Sequence, residues 1–89
     1  MQITEAYDTL RQYGYVGDQY SFDRNWLGRK EGYFAYLKST NRKPSVEALL
    51  KLHFKLLEIE RRNANYGLPA DELRGLATST LAEIRQRCA

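Results

Sequence analysis

The sequence predicts an all-α protein, a compact bundle of about five helices in a single domain spanning 1–89. Three observations support this prediction. Apolar residues recur at helical spacing in several segments, no segment shows sustained alternation with a period of two, and short polar or glycine-containing stretches separate the segments. A chain of 89 residues buries only about 60–65% of its unfolded surface, so an oligomeric interface would add useful stability.

The first helix is predicted from apolar residues that fall on one face: Ile3, Ala6, Tyr7, Leu10 and Tyr13. Gly14 can adopt the left-handed conformation that ends a helix, and residues 14–19 are predicted to form a loop. Ser21 is then a suitable N-cap for a short helix that Gly28 ends, with Trp26 as a core anchor.

A second short helix is predicted from Lys30 to Ser39, followed by a polar loop over 40–43. Its inner face carries Tyr33, Phe34 and Leu37. Pro44 and Ser45 open the most strongly apolar helix in the chain, because Ser45 can cap it. That helix has one apolar stripe of Val46, Leu49, Leu50, His53, Phe54 and Leu57, and a second of Leu52, Leu56 and Ile59.

A break is predicted at 65–69, and a last helix follows it. Asp71 and Glu72 near its start and Arg85 and Arg87 near its end complement the helix dipole. Its apolar stripe contains Leu73, Leu76, Ala77, Thr80, Leu81 and Ile84. On these boundaries the domain has a core over 6–57 and a packing or dimerisation helix over 69–87.

Composition argues against several classes of function. The only cysteine is Cys88 and the only histidine is His53, so neither a disulfide framework nor a metal site is expected. No triad, carboxylate pair or phosphate-binding glycine loop is recognisable, so we expect no catalytic residues, no enzyme activity and no cofactor. The longest apolar run is too short for a bilayer and residues 1–5 do not resemble a signal peptide, which predicts a cytoplasmic protein with no membrane partner.

Positive charge is concentrated in one part of the chain. Residues 21–43 contain six basic and two acidic side chains, a net charge of +4, whereas the remaining 66 residues sum to −1. A local basic cluster of this kind is typical of a surface that meets a polyphosphate, although a solvated helix face would have the same composition. The two short helices cannot bury their own apolar faces, so the outer face of the second is left free to enter a major groove about 12 Å wide.

Residues 27–45 resemble the helix-turn-helix of phage-repressor/Cro-like (Xre-type) DNA-binding domains. They combine a Leu27-Gly28 turn, a short helix with an inward Leu37, a polar loop, and Pro44-Ser45 before an apolar helix, with no gap. The resemblance extends over about residues 6–57. Two departures are a loop before the first short helix about three residues longer than usual, and Lys30 in place of the usual Ser/Thr cap, a loss of ~1 kcal/mol.

The resemblance implies which side chains meet duplex DNA. The positions that reach bases are Glu31, Gly32 and Tyr36. Residues suited to phosphate contacts are Arg24, Arg29, Lys30, Tyr33, Lys38, Asn41, Arg42 and Lys43. Glutamate can accept a hydrogen bond from cytosine but repels phosphate, and glycine reads no base, so sequence specificity is expected to be weaker than phosphate binding.

Two functions follow as hypotheses. The first is a small transcriptional regulator that binds double-stranded DNA through helix 30–39 and the basic loop 40–43. The alternative is a repressor-like protein-interaction module that has lost base reading. A homodimer through helices 46–64 and 69–87 is compatible with both, although most of the second stripe is expected to be covered by the last helix.

Overall fold

A computed structural model describes residues 3–62 and 70–88, and it confirms the all-α prediction. The described residues contain five α-helices and no strand. The helices are α1 (Ile3–Gln12), α2 (Gln19–Phe22), which continues into a π-helical turn (Asp23–Leu27), α3 (Tyr33–Thr40), α4 (Val46–Arg62) and α5 (Ala70–Cys88). The predicted break at 65–69, residues 63–64 of the predicted 46–64 helix and residue 69 of the last helix lie outside the described ranges.

The helix α2 begins earlier than the sequence suggested. Asp18 is its N-cap, and the Asp18 carboxylate accepts a hydrogen bond from the backbone N–H of Ser21 at 2.8 Å. Ser21 therefore lies inside the helix, and its assignment as the cap was wrong. The π-helical turn ends at Gly28, which adopts a left-handed conformation with φ 65°.

The helix α3 begins at Tyr33 rather than at Lys30, so this predicted boundary was also wrong. Residues 30–32 belong to the connection between the two short helices, and Gly32 precedes α3 with φ 98°. At the other end, Asn41 has φ 54° and the carbonyl of Leu37 accepts hydrogen bonds from the backbone of Asn41 and Arg42. This arrangement satisfies the last turn of α3 and turns the chain towards α4.

The core joins the short helices to α1. The rings of Tyr7, Phe22 and Phe34 pack with centroids 4.9–5.3 Å apart, and Trp26 is buried beside them. A pair of helices this short has too little apolar surface to be stable alone, and these contacts fix its position on the bundle.

The two apolar stripes of α4 differ in burial. Leu52 and Leu56 are fully buried, and α5 covers this side of the helix, as expected for the second stripe. The first stripe is only partly buried, because Leu50 is 36% exposed and Phe54 is 62% exposed. His53 is packed between α4 and α5, with Nδ1 2.9 Å from the carbonyl oxygen of Ala77.

Candidate nucleic-acid interface

The outer face of α3 is exposed and almost neutral. Its solvent-facing residues are Ala35, Tyr36, Ser39 and Thr40, with Lys38 exposed at its edge, and Tyr36 is 48% exposed. The hydroxyls of Ser39 and Thr40 donate hydrogen bonds to the Tyr36 carbonyl at 3.1 and 2.7 Å, so these donors are used within the helix. Tyr36 is therefore the one large uncharged side chain that this face presents.

A buried carboxylate organises the connection between the short helices. Asp23 is fully buried, and its two oxygens accept hydrogen bonds from the backbone N–H groups of Gly32 (2.9 Å) and Phe34 (2.8 Å). Its backbone carbonyl also accepts hydrogen bonds from Gly28 and Arg29. The expected loss of an α3 cap at Lys30 was thus wrong, since a residue of the preceding turn supplies the cap.

Sequence reasoning missed Asp23. The hydrogen bonds span nine and eleven residues, beyond the three-residue spacing by which N-caps are found in a sequence. The only available signal was an acidic residue directly after the apolar Phe22, on the side of the helix that also carries Trp26 and Leu27. Because Asp23 accepts hydrogen bonds from the N–H groups of Gly32 and Phe34, the start of α3 is already bound to a carboxylate.

Arg29 makes internal contacts. Its guanidinium donates a hydrogen bond to the Ser45 hydroxyl at 2.7 Å, lies 3.5 Å from the carboxylate of Glu47, and stands 5.5 Å from the centre of the Tyr33 ring. The Tyr33 hydroxyl in turn accepts a hydrogen bond from the backbone N–H of Ser45 at 2.9 Å. These two predicted phosphate ligands therefore hold the start of α4, whose N-cap is Ser45 as predicted.

Glu31 and Gly32 lie in the connection before α3 rather than on the helix. The Glu31 carboxylate pairs with Arg24 at 3.3 Å, and both side chains are at least half exposed. Because each charge partly neutralises the other, neither presents a full charge to a ligand. The N–H of Gly32 is already bonded to Asp23.

The remaining predicted phosphate ligands lie at the two ends of α3. Lys30 lies before it, and Arg42 and Lys43 follow it; all three are exposed and form no ion pair with another described residue. Lys38 is exposed on the helix with its ammonium 4.7 Å from the centre of the Phe34 ring. An eight-residue helix is about 12 Å long, close to the width of a major groove.

Two surface depressions bring the predicted residues together in separate groups. One, of about 480 Å³, lies at the N-terminal end of α3 and is lined by Arg29, Lys30, Glu31, Gly32, Tyr33 and Tyr36, together with Gly28. The other, of about 730 Å³, lies at the C-terminal end. There Lys38, Asn41, Arg42 and Lys43 share the lining with Glu5 and Glu83, so this second group is of mixed charge.

A metal site and a membrane-spanning helix find no counterpart in residues 3–62 and 70–88. No group of three or more His, Cys, Asp or Glu side chains within these ranges is arranged to hold a metal ion. None of the described helices combines the length and apolar character that crossing a membrane requires.

One comparison with known proteins gives a match. The sequence model of a family described as a family of unknown function (DUF6626) matches residues 3–89. No curated protein and no solved structure matches the chain significantly.

Proposed function

The chain belongs to the DUF6626 family of unknown function, and we propose that it is a small, non-enzymatic, cytoplasmic regulator that binds double-stranded DNA with α3. The observation that carries the proposal is the exposed α3 with exposed cations at both ends, Lys30 on one side and Arg42 and Lys43 on the other, none of which forms an ion pair among the described residues. Cations separated by the length of this helix are suited to phosphates on the two sides of a major groove. The resemblance of residues 27–45 to phage-repressor domains supports the same mode of binding.

Phosphate contacts supply most of the affinity in this proposal. Tyr36 is the side chain that meets base edges, for example by packing on a thymine methyl group. Glu31 and Gly32 contribute little, because the first is paired with Arg24 and the second has its N–H bonded to Asp23. Binding is therefore sensitive to salt and weakly dependent on sequence.

Fluorescence anisotropy with a labelled random-sequence duplex, titrated at several salt concentrations, tests the proposal. A variant with Lys30→Ala and Lys43→Ala removes two charges without removing an ion pair with another described residue. The slope of log affinity against log salt should fall by roughly two units, since each phosphate contact contributes about 0.9.

The matched control is Arg11→Ala with Arg85→Ala, which removes the same charge from exposed positions on α1 and α5. The control should leave the slope close to that of the wild type. Failure of the folded wild type to bind duplex DNA at low salt, or equal effects of the two double variants, would contradict the proposal.

A protein-interaction module is the second candidate, and one observation favours it. Arg24 and Arg29 are both engaged with carboxylates of the same chain, while Leu50 and Phe54 are exposed on α4. This alternative predicts an association with protein that does not change when Lys30 and Lys43 are replaced. The same two double variants therefore separate the candidates.

A further inference from the structure

One face of α4 is exposed along its whole length. With roughly 100° of rotation per residue, seven side chains fall within an arc of about 120°. These residues, which we call the outer stripe, are Glu47, Leu50, Lys51, Phe54, Leu57, Glu58 and Arg61. All are exposed except Leu57, which is half-buried. Phe54, at the centre of the stripe, is 62% exposed.

The described helices pack on both sides of the outer stripe and leave most of its side chains exposed. On one side His53 contacts α5 through the Ala77 carbonyl. On the other side the Lys55 ammonium lies 5.8 Å from the centre of the Trp26 ring, in the π-helical turn. The exposed phenyl group is therefore held on a helix that is fixed from both flanks, as anchors of protein interfaces commonly are.

We propose that the occupant of the outer stripe is a second copy of the chain, with the two α4 helices antiparallel and Phe54 packed on Phe54 at the two-fold axis. The argument is charge complementarity. In this alignment Glu47, whose side chain is 86% exposed although it lies near Arg29, is opposite Arg61 of the second copy. Lys51 lies within one residue of the position opposite Glu58, which also pairs with Arg62 of its own chain. The symmetry repeats both pairs, so four acidic and basic contacts surround the apolar centre.

Other alignments do not give this match. A parallel pair would place Glu47, Lys51 and Glu58 against their own copies, and like charges in apposition destabilise an interface. A shift that pairs Leu50 with Phe54 brings Arg61 level with Lys43 of the second copy. Of these three alignments, the antiparallel one about Phe54 is complementary to itself, and this is the pattern that an isologous dimer requires.

This inference does not depend on DNA binding. It refines the predicted homodimer. Because α5 covers the second stripe of α4, the outer stripe is the apolar surface of this helix that is exposed to a second copy. Only two large apolar side chains lie well exposed in the stripe, so the dimer is small and its population depends on concentration.

Sedimentation equilibrium of the full chain at submillimolar concentration tests the proposal. The wild type should show a reversible monomer–dimer equilibrium, and Phe54→Ala should weaken it at least about tenfold. Tyr20→Ala is the matched control, because Tyr20 is an aromatic residue of α2 with a similar exposure of 55%, and it should leave the equilibrium unchanged. A wild type that is monomeric throughout, or equal effects of the two variants, overturns the proposal.

A charge exchange tests the antiparallel alignment itself. Glu47→Arg and Arg61→Glu should each weaken the dimer, because each places like charges opposite one another twice. The double variant restores both pairs and should recover association, although both changes oppose the helix dipole. Circular dichroism confirms that each variant is folded. Failure of the double variant to associate more tightly than either single variant excludes this alignment.

Discussion

The Asp23 carboxylate lies 2.8 Å from the backbone nitrogen of Phe34, and this hydrogen bond joins the π-helical turn to the first turn of α3. The second carboxylate oxygen binds the N–H of Gly32. One fully buried side chain therefore holds the connection and the start of the helix that we propose meets DNA. Its position also explains how α3 can begin after a glycine that has no side chain with which to cap it.

Replacing Asp23 should destabilise the fold. Asp23→Ala leaves the buried N–H of Phe34 and the partly buried N–H of Gly32 without their acceptor, at a cost of about 1–3 kcal/mol in the free energy of unfolding. Asp8→Ala, at an exposed position on α1, is the control and should change it by less than about 0.5 kcal/mol. Urea denaturation followed by circular dichroism measures both; similar losses for the two variants would show that Asp23 is not the cap.

Substitutions of the neighbouring basic residues Arg29 and Lys30 should affect different properties, stability in the first case and DNA affinity in the second. Arg29→Ala removes the hydrogen bond to Ser45 and should cost about 1 kcal/mol of stability. Lys30→Ala removes an exposed side chain and should change stability by less than about 0.5 kcal/mol while weakening DNA binding. Denaturation and DNA-binding anisotropy of the same two variants test these expectations. A loss of stability for Lys30→Ala larger than that for Arg29→Ala would contradict them.

Two glycine substitutions should have opposite effects on stability. Gly28 has φ 65°, which an L side chain adopts with strain, so Gly28→Ala should destabilise the protein by about 1–2 kcal/mol. Gly75 lies in α5, is exposed, and has open space where a Cβ would be placed. Gly75→Ala should stabilise by roughly 0.5–1 kcal/mol because alanine is the better helix former. Thermal unfolding of both variants tests whether the first loses stability and the second gains it.

Asp18 should contribute to the pH dependence of stability. The hydrogen bond from the backbone N–H of Ser21 lowers the pKa of the Asp18 carboxyl below its ordinary 3.8. A group with a lowered pKa in the folded state stabilises the protein fully above its unfolded pKa, and this contribution is lost as the pH falls through the folded value.

Asp18→Asn should therefore lower stability at neutral pH and flatten the loss of stability on acidification below about pH 4. Asp8→Asn removes an exposed carboxylate that caps no helix, so it should change the loss of stability on acidification less than Asp18→Asn does. The measurement is the free energy of unfolding in urea over a series of acidic pH values. Equal slopes for Asp18→Asn and the wild type would contradict the assignment.

The number of helices and the identity of most of the core could be predicted from local pattern. The spacing of Ile3, Ala6, Tyr7 and Leu10 places α1, and Pro44-Ser45 marks the start of α4, because periodicity and capping act within a few residues of one another. The same reasoning failed at Ser21 and at Lys30. For α2, Asp18 supplies the capping hydrogen bond that the pattern assigned to Ser21. For α3, Asp23 supplies a capping hydrogen bond that the pattern predicted to be missing.

The candidate interface depends more strongly on tertiary contacts. The sequence by itself determined that positive charge is concentrated in residues 21–43, since net charge is a property of composition and order. Only the tertiary structure decided how that charge is divided. Arg24 and Arg29 are paired within the chain, whereas Lys30, Arg42 and Lys43 remain without an ion pair among the described residues.

The segment from α2 to the start of α4, which contains Gly28 and Pro44, shows the same division. Its existence was determined by the sequence, because the residues that end and begin helices are adjacent to the positions they control. Its inner contacts and its free surface were decided by the fold. Phe54 faces solvent whereas Leu52, on the same helix, is buried. Whether a side chain is exposed depends on partners distant in sequence that only packing brings into contact.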